Sequence, residues 1–372
     1  MRNKAYKFRI YPNAEQTVLL AKTFGCVRFI YNKMLGDKIE YYETTKETSA
    51  YMPLNTTPAH YKNEFEFLKE VDSLALANAQ LHLDTAYKNF FRDKSIGFPK
   101  FKSKHRGHNS YTTNYVNGNI SLSDGCLKLP KLGKVKIVQH RLIPDDYILK
   151  SVTVSKTPSG KYYASILYEY EQNVEPVEIK NAIGIDFSMS ELYVASDGIS
   201  ADYPHYYRQS LDKLAREQRK LSRMAKGSNN RYKQRIKVAR LHERIANQRK
   251  DFLHKQSRQI TNVYDAVCVE DLNMKGMSQA LNFGKSVSDN GWGMFVGMLS
   301  YKLSEQGKQL IKIDKWFPSS KTCSNCGAVK DELPLSERVY RCGCGFVCNR
   351  DLNAAINIKN EGLRTAYMPM LA

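Results

Sequence analysis

The sequence predicts a multidomain chain, a small β-barrel or sheet domain with a helical lobe inserted, followed by an α/β domain holding a metal-bound loop. Three observations predict it. Short alternating runs at 1–12 and 104–172 bracket a stretch of helical spacing. From 181 onward, nearly continuous apolar strands end in acids, as in IGID (183–186) and AVCVE (266–270). Four cysteines in two close pairs then precede the acid Asp351 at the mouth of a helix.

KAYKFRIYP alternates and stops at Pro12, which reads as a strand. Asn13 reads as the N-cap of a long amphipathic helix, with Glu15 and Gln16 in its first turn. Residues 52–60 break the pattern, and helix returns over 61–70 and 72–92. Gly, Pro and Asn then punctuate short β runs, and SVTVSKTPSGKYYASILYEYE is a hairpin turning at Pro158-Ser159-Gly160-Lys161. EQNVEPVEIKN reads as a linker. Two strands within 181–198 and a third at 265–273 flank a charged helical hairpin, 208–260, turning at Gly227-Ser228-Asn229-Asn230. The last residues, 364–372, read as a disordered tail.

The chain carries 57 Lys and Arg against 37 Asp and Glu, a net charge of +20. Such an excess favours a polyanionic partner, because each cation set on a phosphate releases counterions. The charge is also clustered. Residues 208–260 hold 17 Lys or Arg against 4 Asp or Glu, where a merely solvated face would mix signs more evenly. No apolar run reaches the length of a membrane span, and no apolar core follows the basic N-terminal residues as in a signal peptide. A cytoplasmic, nucleoid-associated bacterial protein is the expectation. Eight cysteines in a reducing compartment suggest metal binding or burial before disulfides, with Cys26, Cys126 and Cys268 read as isolated core or neutral residues.

Cys323-x-x-Cys326 and Cys342-x-Cys344 stand fifteen residues apart, a strong pattern for one structural Zn²⁺ with four thiolates and no open position. The second pair is tighter than usual, so Cys348 is a rival ligand. Cys342 and Cys344 are preferred because Cys344-Gly345 offers a tight turn with amides facing the sulfur.

Asp186 and Glu270 end core strands and Asp351 opens a helix. Acids in such places are costly unless solvated, paired or bound to a cation. Three together suit two Mg²⁺ ions in phosphodiester hydrolysis. Glu270 and Asp271 face opposite ways on a strand, so only one enters a site, and Glu270 is chosen. Taken singly, Asp186 reads as a strand-end acid and Asp351 as an N-cap. Their convergence does not follow from spacings of 84 and 81 residues.

The chain resembles the TnpB family of RNA-guided nucleases encoded by insertion sequences and related to type V CRISPR effectors. The resemblance covers nearly the whole chain. It runs from KAYKFRIYPNAEQ, FGCVRFIYNKML, TAYKNFF, GFPKFKSK and LKLPKLGKVKI through GIDFSMSELYVASDG, QRKDFLHKQS, VCVEDLNMKGM and DNGWGMF. It closes with KTCSNCG and CGCGFVCNRDLNAAINI. It implies a RuvC-like nuclease domain of RNase H fold over 181–372, with a triad at Asp186, Glu270 and Asp351 and a zinc-binding insertion at 318–348. It implies a wedge-type β domain, 1–12 and 104–172, with a helical recognition lobe over 13–103. Guide RNA from the element's end would recognise double-stranded target DNA, beside a short flanking motif read by a monomeric protein, and one site would cut both strands.

Two positions depart from the family pattern. Asn349-Arg350-Asp351 stands where relatives often have Asp-Arg-Asp, and Phe187-Ser188 follows Asp186 where an apolar residue and Gly are common. Candidate nucleic-acid contacts are Lys100, Lys102, Lys104, Arg106, the polar run Tyr111, Thr112, Thr113 and Asn114, and Arg249 with His254. Each taken singly also reads as a solvated or packed side chain. Rival functions are an RNA-guided DNA-binding repressor with little cleavage and an RNase H-fold transposase acting without RNA. A zinc-finger transcription factor fits less well, since DLNAAINI after the cysteines is no basic recognition helix.

Overall fold

Alternation governs the start of the chain. In Arg2–Tyr11 (β1), Tyr6, Phe8 and Ile10 are buried while Lys7 and Tyr11 face water, the period-2 pattern of a half-wet strand. The computed structural model describes residues 1–46, 57–104, 109–274, 276–277, 289–334 and 336–367. It divides into two units, Met1–Gln172 and Asn173–Ala372.

In the first unit Asn13 caps Ala14–Thr45 (α1) through a reciprocal box. Its Oδ1 accepts from the Gln16 amide at 2.8 Å, and Gln16 Oε1 accepts from the Asn13 amide at 3.0 Å. The helix expected over 61–70 is two pieces. Pro58–Glu64 (α2) is capped by Thr57, and a 3₁₀ turn covers Glu66–Glu70. Pro58 at the first helical position fixes the earlier start. Ser73–Arg92 (α3) packs on α1 through Leu76, Ala79 and Leu83.

Six more strands complete a seven-stranded sheet. They are Asn109–Asn114 (β2), Ser121–Ser123 (β3), Cys126–Leu129 (β4), Gly133–Val138 (β5), Ile148–Lys156 (β6) and Tyr162–Tyr170 (β7). The order is β2-β6-β7-β1-β5-β4-β3, so β1 pairs antiparallel with both β7 and β5. The β6–β7 turn closes by Thr157 N–H donating to Lys161 O at 2.8 Å, with Gly160 at φ +88°. The barrel expectation needs correction: β2 and β3 remain edges, and no pairing among the described residues joins them. Three residues of β3 offer too short a ladder to close seven strands.

The second unit is built on a mixed sheet of order β11-β10-β8-β9. Ala182–Ser188 (β8), Ala266–Glu270 (β10) and Gln309–Ile313 (β11) are parallel, and Leu192–Ala195 (β9) runs antiparallel to β8. Tyr206–Arg223 (α4) and Asn229–Val263 (α5) form the charged hairpin between β9 and β10. Leu214, Val238 and Ile245 line its seam, with a buried pair in which Gln234 Nε2 donates to Glu217 Oε2 at 2.7 Å. Trp292–Glu305 (α6) packs on α5, and Val339–Arg341 (β12) pairs with Val347–Asn349 (β13).

Arg350–Tyr367 (α7) lies across β8 and β10. Two glycines permit the close approach. A methyl on Gly184 would strike the Ala355 carbonyl, and one on Gly362 would strike Cys268 Sγ. The expected disordered tail is corrected in part. Residues 364–367 end α7, where Arg364 Nη2 meets Glu361 Oε1 at 2.7 Å and Tyr367 Oη donates to Ile179 O at 3.3 Å. Residues 368–372 and Arg106 lie outside the described residues. Among those described, no helix is long and apolar enough to cross a membrane.

Candidate active site and metal-binding loop

Register brings two of the acids together. Ile185 of β8 lies beside Val269 of β10, so the next residues, Asp186 and Glu270, stand side by side on one face. Adjacent strands run about 4.8 Å apart. Glu270 ends β10, and Asp186 stands where the parallel pairing of β8 with β10 stops, although β8 runs on to Ser188 against β9. Open α/β sheets ordinarily receive ligands at this carboxyl edge. Asp271 points elsewhere and pairs with Lys312 at 2.8 Å, 63% exposed.

The third acid arrives on α7. Asn349 Oδ1 accepts from the amides of Asp351 at 2.8 Å and Leu352 at 3.2 Å. Asn349 is therefore the cap, and Asp351 sits in the first turn. The Asn at this position performs the capping role open to an Asp. Asp351 Oδ2 lies 3.9 Å from Arg338 Nη1.

The acids sense one another. Burial pushes the Asp186 carboxyl well above the usual range, and the charges of Glu270 and Asp351 push it further. Burial also raises Glu270, opposed by a hydrogen bond from Ser319 Oγ to Glu270 Oε1. Like charges at a dehydrated edge are what a bound cation relieves, and three carboxylates are a hard-oxygen donor set suited to Mg²⁺. Their ligand atoms do not all fall within 4.8 Å of one another, a spacing reached among the described residues by the cysteine quartet.

That quartet is Cys323, Cys326, Cys342 and Cys344. Sγ of Cys323 and Cys344 lie 3.8 Å apart, and Sγ of Cys326 and Cys342 3.6 Å. A tetrahedron with Zn–S of about 2.3 Å has edges of about 3.8 Å, so the thiols fit that ion. Gly345 at φ +87° makes the tight turn, and the Phe346 amide, helped by Asn325, draws the Cys344 thiol down to about 6. Cys348 stands outside the group, its Sγ donating to Asn349 O at 3.1 Å.

Residues that the sequence reading passed over connect the two centres. Asn353 and Asn357, one turn apart on α7, are buried and both donate to Thr322 O, at 2.7 and 2.6 Å. Asn357 also donates to Ser319 O at 2.8 Å, and Asn353 accepts from the Ser324 amide at 3.0 Å. The loop into the cysteines is thus fastened to α7, and through Ser319 to Glu270. Two asparagines on the buried face of an amphipathic helix were the available signal, since buried amides need partners. Asn290 is a further omission. Its Nδ2 donates to the carbonyls of Ser188 and Met189, both at 3.0 Å, pinning the exit of β8 just past Asp186.

The nucleic-acid candidates differ in exposure and partners. Lys100 and Lys104 are exposed. Lys102 is exposed as well, but its ammonium lies 3.8 Å over the Tyr31 ring, where desolvation pulls it below the usual range. Tyr111 and Thr113 correct the expected polar patch. They are 4% and 0% exposed, because alternation along β2 turns odd positions inward and leaves Thr112 and Asn114 on the other face. Arg249 turns toward the start of α6, with Nη1 3.5 Å from Asp289 O. The His254 carbonyl accepts from Lys302 Nζ at 2.8 Å.

Comparison with known proteins places these features. A family model described as "Probable transposase" matches residues 165–281, and one described as "Cas12f1-like, TNB domain" matches 292–358. A third, "Helix-turn-helix domain", matches 1–47, where the structure has β1 and the single helix α1. A Streptomyces pristinaespiralis protein named "Putative RNA-guided DNA endonuclease" is 38% identical over 97% of this chain and 89% of its own length. "Putative RNA-guided DNA endonuclease InsQ" of Escherichia coli K12 is 32% identical over 97% and 92%. The structure titled "Cryo-EM structure of the Cas12f1-sgRNA-target DNA complex" shares the fold at a TM-score of 0.58 and 12% identity, covering 96% of this chain and 99% of that one.

Proposed function

Because the chain belongs to the TnpB family, we propose that it is an RNA-guided DNA endonuclease of a transposable element. The observation that carries this reading is the meeting of Asp186 and Glu270 on neighbouring strand ends with Asp351 close enough to raise the Asp186 carboxyl. The β8–β11 sheet with α7 across it supports an RNase H-type, RuvC-like nuclease domain.

Asp186, Glu270 and Asp351 would hold two Mg²⁺ ions, which supply activation of the attacking water and stabilisation of the leaving oxygen. The chain's own residues set the geometry. Ser319 orients Glu270, Asn349 fixes the helix start that presents Asp351, and Asn290 holds the strand end beyond Asp186. Cys323, Cys326, Cys342 and Cys344 would hold one structural Zn²⁺ and keep the Ser319 loop in place. The first unit would serve as a wedge-type β domain with a recognition lobe, and the hairpin cations of α4 and α5 would lie along phosphates. A monomer with guide RNA, in the bacterial cytoplasm, would read a short flanking motif and cut both target strands.

Retention of all three acids favours a cutting enzyme over a DNA-binding repressor. Plasmid cleavage with guide RNA and Mg²⁺ tests this. Wild type should linearise a matched target, and Asp186→Ala should lose cutting by about a thousandfold or more, the scale of a metal centre's contribution. Equal product from both would sink the assignment.

A further inference from the structure

The chain holds two tryptophans, and the fold treats them oppositely. Trp292 is 2% exposed in the second core, whereas Trp316 is 80% exposed, more than any other described aromatic. Scattered exposed apolar residues are ordinary, so exposure alone decides nothing. The position of Trp316 does. It lies on the segment between β11 and the cysteine loop, three residues before the serine that donates to Glu270.

That segment is fixed on both sides of the ring. The Trp316 amide donates to Asp314 Oδ1 at 2.7 Å, and the Phe317 amide donates to Asp314 O at 3.1 Å. Phe317 packs beside Cys268, Ile313 and Ile358, and the Ser319 amide donates to Phe317 O at 2.8 Å. One aromatic is thus anchored inward while its neighbour is held out in solvent. Three residues of chain span at most about 11 Å, so the Trp316 backbone stands within that distance of the backbone of the serine that donates to Glu270. Lys315 Nζ lies over the Trp316 ring, 5.1 Å from its centroid, which sets a cation on one face and leaves the other for a base.

We propose that Trp316 and Lys315 form a stacking site for a base of the single DNA strand delivered to Asp186, Glu270 and Asp351. The inference rests on the nuclease reading. An indole face takes any base, so the site is sequence-tolerant and suits a strand whose sequence is read by pairing elsewhere. The ammonium over one face matches the strand's phosphate, and a cation held on the ring is poor equipment for an apolar protein partner.

Intrinsic fluorescence of the full chain with its guide RNA tests the site, using a thymidine oligodeoxynucleotide of about a dozen residues and an all-abasic oligomer of equal length. The thymidine oligomer should quench Trp316 and the abasic one should not. Trp316→Leu should abolish the quench, weaken binding of the thymidine oligomer about tenfold, and raise the DNA concentration for half-maximal cutting while the maximal rate holds. Trp316→Phe should recover most of the affinity, which a loss of folding would not. Unchanged binding by Trp316→Leu, or equal quenching by the abasic oligomer, overturns the proposal. Trp316-dependent quenching in a protein that cuts no matched target would instead overturn the nuclease reading and leave the stacking site standing.

Discussion

Asp186 occupies a position where a core strand meets water, and its neighbours make it costly to ionise. Burial and the charges of Glu270 and Asp351 act in the same direction, so its proton is held tightly unless a cation takes its place. Asn349 shows how a single residue supports this site without touching it, by capping the helix that presents Asp351. Lys302 illustrates the opposite kind of buried charge. It is 2% exposed, donates to His254 O at 2.8 Å and Ser257 Oγ at 2.6 Å, and burial pulls its ammonium down to about 8. Between pH about 8 and the ordinary lysine value of 10.5, the unfolded chain keeps this proton and the native chain releases it. The unfolded state then binds more protons, so this group makes stability rise with pH across that window. Below pH 8 both states are charged and the cost of burial is fully present. Denaturation midpoints of wild type and Lys302→Met, taken across that range, should show the wild type gaining on the variant as pH rises. A flat or falling difference would refute the burial account.

At the scale of elements, α7 is the member that assembles the site. Its Asn353 and Asn357 hold the loop leading to the cysteines, its first turn carries Asp351, and Gly184 and Gly362 let it lie close on β8 and β10. The cysteine quartet braces the far end of the same loop. Structural zinc contributes about 10–16 kcal/mol to small domains that depend on it. Cys323→Ser, or a strong chelator, should therefore release one zinc per chain and lower the melting temperature. Cutting should fall as Ser319 loses its hold on Glu270, while guide RNA remains bound. Metal analysis with a melting curve checks this, and an unchanged melting temperature after complete zinc loss would contradict it. The strands and long helices were legible from period and caps, as Asn13 and the turn at Gly160 illustrate. The inward faces of Tyr111 and Thr113 were not, because a one-residue phase along a short polar strand decides which side chain is wet.

The whole molecule joins distant stretches of sequence at one sheet edge. Glu270 follows Asp186 by 84 residues and Asp351 follows Glu270 by 81, so spacing carried no information about their meeting. Register along β8 and β10 supplies the first encounter, and packing of α7 supplies the second. The cysteine quartet was legible because local spacing is enough to bring four thiols together. Ser319, Asn290 and the α7 asparagines were not, since they act through contacts that exist only in the folded chain. The central claim is that these three acids form one cutting centre separable from target binding. The single-turnover cleavage rate of the guide-loaded chain on bound, matched DNA tests it most directly, with Asp351→Ala beside wild type. The account predicts target binding within about twofold of wild type and a rate lower by about three orders of magnitude or more. A variant that cuts bound DNA at the wild-type rate would contradict it.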